Sequence, residues 1–154
     1  MAGLSYAESI VIARPPDALY DLVSDVTRMG EWSPVCMACW WDDGAAPRVG
    51  AWFTGRNEVP GRTWETRSQV VVADPGREFA FMVGGAWVRW GYTLTPVDNG
   101  TQLTESWEFL PAGLDRFRER YGPDAQAQIA ARTEAAHAGI PVTLAAIKKT
   151  AESA

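Results

Sequence analysis

The sequence predicts an α+β domain in which a curved, seven-stranded antiparallel sheet wraps one long C-terminal helix. Three features predict it. Between Val35 and Leu110, short β-patterned runs alternate with turns rich in Gly, Pro and Asn. Two short helical segments separate the first strand from the second. From Asp124 onward, apolar residues recur at three- and four-residue steps. The 154 residues read as one domain, 1–154, long enough to bury a core without metal or disulfide staples.

Leu4 to Ala13 reads as the first strand. Arg14-Pro15-Pro16-Asp17 breaks it and opens a helix with Ala18, Leu19, Leu22 and Val23 as its apolar stripe. A second short helix spans Val26 to Glu31 and ends before Trp32-Ser33-Pro34. The next strands are Val35–Trp41, Gly50–Glu58, Arg62–Ala73, Arg77–Val83, Ala86–Pro96 and Thr101–Leu110. Asp98-Asn99-Gly100 marks the last hairpin. Leu114 to Tyr121 is a short helical or irregular link. In the final helix Ile129, Thr133, Ala136, Ile140, Leu144, Ile147 and Ala151 make one apolar face, and Pro141 predicts a kink.

Composition narrows the function classes. The formal net charge is -5, which repels phosphate backbones and anionic membrane surfaces, so a nucleic-acid partner is not expected. No apolar stretch is long enough to span a bilayer, and Met1 to Val11 lacks a signal-peptide pattern, so the expected setting is the cytoplasm. One histidine and a single Cys-x-x-Cys, Cys36 and Cys39, cannot complete a zinc site, and no metal or other cofactor is expected. On a strand, positions three apart point to opposite faces, so the two cysteines read as structural rather than as a redox pair. No phosphate loop, Gly-x-Ser-x-Gly elbow or His-Glu-x-x-His is present.

Eight tryptophans in so short a chain suggest an aromatic-lined hollow, because a solid core cannot easily satisfy so many indole N–H groups. Strand parity names the candidate lining. Trp64, Thr66 and Ser68 share a face with Val70 and Val72; Phe81 pairs with Phe79; Trp90 lies with Tyr92; and Leu103, Glu105, Trp107 and Phe109 share another. Phe53, Ile140 and Leu144 complete it from the third strand and the long helix. For each aromatic, plain core packing is the competing reading. Trp32 is either a lid residue or a plug beneath the helices. His137 is either a proton shuttle or part of a solvated helix face. Glu105 is an inward carboxylate that serves as ligand anchor or general base with Tyr92, or else pairs with Arg56 or Arg67. Outward tryptophans such as Trp52 and Trp87 raise homodimerisation as a further option.

Ile10 to Asp25 with its Pro15-Pro16 break, Trp32-Ser33-Pro34, Gly50 with Phe53, Gly100-Thr101 with Glu105, and Thr143-Leu144 through Ile147-Lys148 and Glu152 carry a resemblance across nearly the whole chain. The chain resembles the helix-grip fold of the START-like, or SRPBCC, superfamily, and within it the bacterial polyketide cyclase/dehydrase-like branch. The superfamily spans lipid carriers, hormone and sterol binders, aromatases and cyclases. The resemblance therefore implies a small hydrophobic ligand, lipid-like, aromatic or polyketide-like, held between sheet and helix. The alternative it implies is a polyketide cyclase, aromatase or dehydratase that uses Glu105 and Tyr92 for proton transfer. It supplies no shared catalytic signature to carry over.

Overall fold

Alternating inward apolar and outward polar residues build strands β1 (Ser5–Ile12), β2 (Cys36–Trp41), β3 (Trp52–Val59), β4 (Arg62–Asp74), β5 (Glu78–Val83), β6 (Val88–Val97) and β7 (Gly100–Phe109). The structure, a computed structural model, describes residues 4–44 and 46–153. The strands form one antiparallel sheet in the order β1-β7-β6-β5-β4-β3-β2. Chain neighbours from β2 to β7 are sheet neighbours, and β1 closes on β7, so β1 and β2 are the two edges.

Helix α1 (Pro16–Val23) starts on a proline, whose missing N–H would have been unpaired there in any case. It buries Leu19, Tyr20 and Val23, and the Tyr20 ring meets Phe79 edge-on at 6.4 Å. The segment Val26–Glu31 is a 3₁₀ helix, with Asp25 accepting a hydrogen bond from the Thr27 N–H at 3.1 Å. The link after β7 is fully helical. Helix α2 (Pro111–Tyr121) again opens on proline, and a 3₁₀ turn leads into α3 (Ala125–Glu152). Helix α3 runs on through Pro141 to Glu152 without a break.

The buried stripe of α3 includes Ile129, Ala136, Ile140, Leu144 and Ile147. Full burial of each large side chain here contributes about 1.5–3 kcal/mol. The helix rests mainly on β1, and also touches α2 and β7. Its last turns are tied to the end of β1: Lys148 Nζ donates to the Val11 carbonyl at 2.7 Å, and the Glu152 carboxylate accepts from the Ala13 N–H at 2.9 Å. This is the helix-grip α+β architecture, and no described helix is long and apolar enough to cross a membrane.

Two bulges depart from simple alternation. One lies between Val70 and Val72, so Val70 pairs with Phe81 on the inner face while Val72 pairs with Ala80 on the other. The shared face expected for Val70 and Val72 is thus split by one extra residue, Val71, and Ala73 returns inward opposite Phe79. The other bulge lies between Cys36 and Ala38 in β2. It overturns the expectation that Cys36 and Cys39 face apart, because both thiols are buried with their sulfurs 3.0 Å from each other.

The tryptophans are accommodated differently from the expected hollow. Arg116 lies over Trp87 at 3.9 Å, Arg62 over Trp64 at 4.3 Å, Arg67 over Trp52 at 4.8 Å and Arg28 over Trp32 at 5.7 Å. Over Trp52, Trp64 and Trp87 the cation covers a half-buried ring that would otherwise expose more apolar area, whereas Trp32 is buried. Trp52 and Trp87, expected as outward interface residues, are half-buried in this way.

Candidate functional site

The inner face of the sheet brings most of the expected residues together. Cross-strand register places Phe53 beside Ser68, Phe81 beside Trp90, Trp90 beside Trp107, and Tyr92 between Phe79 and Glu105. Phe53 and Phe81 meet edge-on at 5.0 Å, and Trp41 meets Phe53 at 5.6 Å. Edge-to-face contacts of this kind fill volume and hold the rings rigidly. Much of the expected hollow is therefore occupied by Phe53, Phe79, Phe81, Trp107, Ile140 and Leu144. Two recesses lie elsewhere. One, of about 530 Å³, opens across Ser5, Ala7, Arg89, Ser106 and Glu108. The other, of about 390 Å³, lies between α1 and the end of α3. Trp64, Thr66 and Trp90 are half-buried on the inner face, as are Val83 and Val88.

Glu105 is the chemical exception on this face. Only 5% of its surface is exposed, and its Oε1 has no hydrogen-bond partner. The ion pairs considered for it do not form. Arg67 instead binds Asp42 at 2.8 Å, and Arg56 is exposed, because both belong to the alternate parity of their strands and point outward. Burial pushes the Glu105 pKa up to about 8, while the hydrogen bond from Tyr92 pulls it the other way. Burial, and then the neighbouring Glu105 carboxyl, raise the Tyr92 phenol well above its ordinary range. At neutral pH the pair is therefore mainly a neutral acid beside a neutral phenol, with one carboxyl oxygen free to accept and one proton free to donate.

Two expected site residues sit apart. His137 is exposed and stacks at 4.1 Å on Tyr6, at the β1 edge, where register puts Tyr6 on the same face as Trp107. One residue along a helix turns the side chain by about 100°, so the position after buried Ala136 faces the β1 edge. Trp32 is buried in the core at the end of the 3₁₀ helix. Two residues were missed. Asn57 is buried on the inner face and donates to Thr66 Oγ1 at 3.1 Å; its parity with Phe53 was the available signal. Arg132 reaches from α3 over Phe117 at 5.4 Å and Trp64 at 6.0 Å, and nothing local in the sequence marks that long-range contact. Among the described residues, no group of three or more His, Cys, Asp or Glu is placed to hold a metal ion.

The profile of the family described as polyketide cyclase / dehydrase and lipid transport matches residues 4–137. The chain belongs to this family. Among solved structures, this polyketide cyclase/dehydrase family member is similar to the polyketide_cyc-like protein Cgl2372 from Corynebacterium glutamicum, with 52% identity and a TM-score of 0.71, covering 97% of this chain and 91% of that one. It shares its fold with StfQ, a di-domain ARO/CYC from the steffimycin biosynthetic pathway, at 17% identity and a TM-score of 0.71. That match covers 97% of this chain but 51% of StfQ. Protein CV1439 from Chromobacterium violaceum has the same fold at 18% identity and a TM-score of 0.68, covering 96% of this chain and 97% of that one. No curated protein matches the chain by sequence. Membership in the family supports a ligand-binding or cyclase role.

Proposed function

We propose that this chain binds a small apolar molecule on the inner face of its sheet, with Glu105 and Tyr92 as the polar anchor and the half-buried Trp64, Thr66 and Trp90 as the way in. One observation carries the reading: a buried, neutral Glu105 carboxyl with an unpartnered oxygen among aromatic side chains. A buried polar atom without a partner costs about 1–3 kcal/mol, and a ligand hydroxyl or carbonyl would recover part of that. The ligand class that fits is mainly hydrocarbon or aromatic with one such oxygen: lipid-like, aromatic or polyketide-like. Removing it from water stabilises the complex by about 25 cal/mol per Å² of apolar area. Titration of the purified protein with a graded set of aromatic ketones and medium-chain fatty acids, read by tryptophan fluorescence and native mass spectrometry, tests this. Saturable binding that weakens about tenfold in Glu105→Ala is expected. No saturable binding across the set would remove the proposal.

The same pair favours a second reading, proton transfer during cyclisation or dehydration of a polyketide-like chain. A neutral carboxyl beside a phenol in a buried setting can donate a proton to a leaving hydroxyl or an enolising carbonyl. Turnover of a poly-β-keto substrate would be expected to collapse in a Glu105→Gln, Tyr92→Phe double variant. Turnover unchanged in that variant would exclude the roles given to both residues.

A further inference from the structure

The Cys-x-x-Cys of β2 plays no part in the reading above, yet its surroundings are arranged around it. The bulge at Met37 turns both Cys36 and Cys39 onto the inner side of the edge strand, with their sulfurs 3.0 Å apart. Three features hold the pair. Ser33 Oγ accepts from the Cys36 N–H at 2.9 Å and fixes the strand entry. The bulge is backed by the 3₁₀ helix, where a Cβ on Gly30 would come within 2.2 Å of the Met37 carbonyl oxygen. Opposite, Gly55 pairs in register with Cys39, and a Cβ there would lie 3.2 Å from the Cys39 sulfur and 3.5 Å from the Cys36 sulfur. The glycine leaves both sulfurs room to move.

From this geometry we infer that Cys36 and Cys39 form a redox-active dithiol, which closes reversibly to a disulfide by exchange with a small-molecule disulfide. The sulfurs need approach by only about 1 Å to reach bonding distance. The loop they close is so short that it constrains the unfolded chain little, which argues for a reactive pair over a structural staple. The two thiols are also unequal. The sulfur–sulfur contact with Cys39 holds Cys36 below the ordinary thiol range, whereas the same contact and then burial push Cys39 up. Cys36 is thus the attacking group and Cys39 the resolving one.

The exchange balances without a metal. The Cys36 thiolate attacks one sulfur of RSSR, the S–S bond breaks, and RS⁻ leaves to take up a proton. Cys39 then loses its proton, attacks the Cys36 sulfur of the mixed disulfide and expels the second RS⁻. Two protein thiols are oxidised to one disulfide, and RSSR is reduced to two RSH.

The test uses the native, full-length chain in buffers of graded oxidised-to-reduced glutathione ratio, quenched with acid, alkylated with a maleimide and weighed intact. The expected result is a single transition from a doubly alkylated protein to an unalkylated one that weighs two hydrogens less than the reduced, unmodified chain, reversed by adding reduced glutathione. In Cys39→Ser the reaction should stop at one glutathione adduct on Cys36. Double alkylation at every ratio in the wild-type chain would overturn the inference, as would disulfide formation only after denaturant is added. Either wild-type outcome decides the matter even if the variant does not fold.

Discussion

Tyr92 and Glu105 face each other directly across the β6–β7 pair, and the Glu105 oxygen that Tyr92 leaves unserved has no partner at all. This relationship makes stability depend on pH in an unusual direction. The folded-state pKa of Glu105 is about 8, against an ordinary 4.5. Between these values the native chain holds a proton that the unfolded chain releases, so stability falls as pH rises. No penalty applies below the ordinary pKa, and the full penalty is reached above the folded one. At neutral pH it is on the order of 3 kcal/mol. Glu105→Gln keeps the shape without the titration. Urea unfolding should find the variant more stable than wild type at pH 9 and similar to it at pH 5; a constant difference across that range would contradict the assignment.

Tyr92→Phe removes the phenol that hydrogen-bonds Glu105. It should cost about 1–2 kcal/mol in the wild-type background and less when Glu105→Gln is already present. A double-mutant cycle by chemical denaturation reads the coupling directly. Strict additivity would mean that the two side chains do not interact.

Ile140 is sealed between α3 and the sheet. Ile140→Ala should lose about 2–5 kcal/mol through the lost transfer energy and the cavity left behind. A denaturation midpoint unchanged from wild type would show that the helix does not pack there.

Arg116→Ala should uncover the Trp87 ring, whose face it covers at 3.9 Å. The expected cost is about 0.5–1 kcal/mol, with Trp87 more readily quenched by acrylamide. Unaltered quenching would argue that the stacking is not maintained in solution.

The order of elements was legible because hydrophobic period and turn residues change together. Pro15-Pro16 fixes the start of α1, Asp98-Asn99 turns β6 into β7, and the three- and four-residue spacing through Ile140, Leu144 and Ile147 defines α3. Strand parity likewise placed Glu105, Tyr92, Trp90 and Trp107 on one face. What escaped it was whatever one residue can shift. The bulges at Met37 and Val71 carry no compositional mark, and the first reversed the reading of Cys36 and Cys39. Nor does parity say what fills the space it points into. The inward aromatics pack edge-to-face against one another, and several indoles are covered by arginines from the same or distant segments. Glu105 was found by parity, and the same parity turns Arg56 and Arg67 to the other face, where Arg67 meets Asp42.

The account rests on Glu105 being a neutral acid held within an apolar face. A pH titration of the Glu105 carboxyl carbon by ¹³C NMR, assigned against Glu105→Gln, measures this most directly. The expected midpoint lies near the folded value of about 8. A midpoint at the ordinary carboxylate value would mean that the group is solvated or paired, and the anchor proposed for the ligand would not exist.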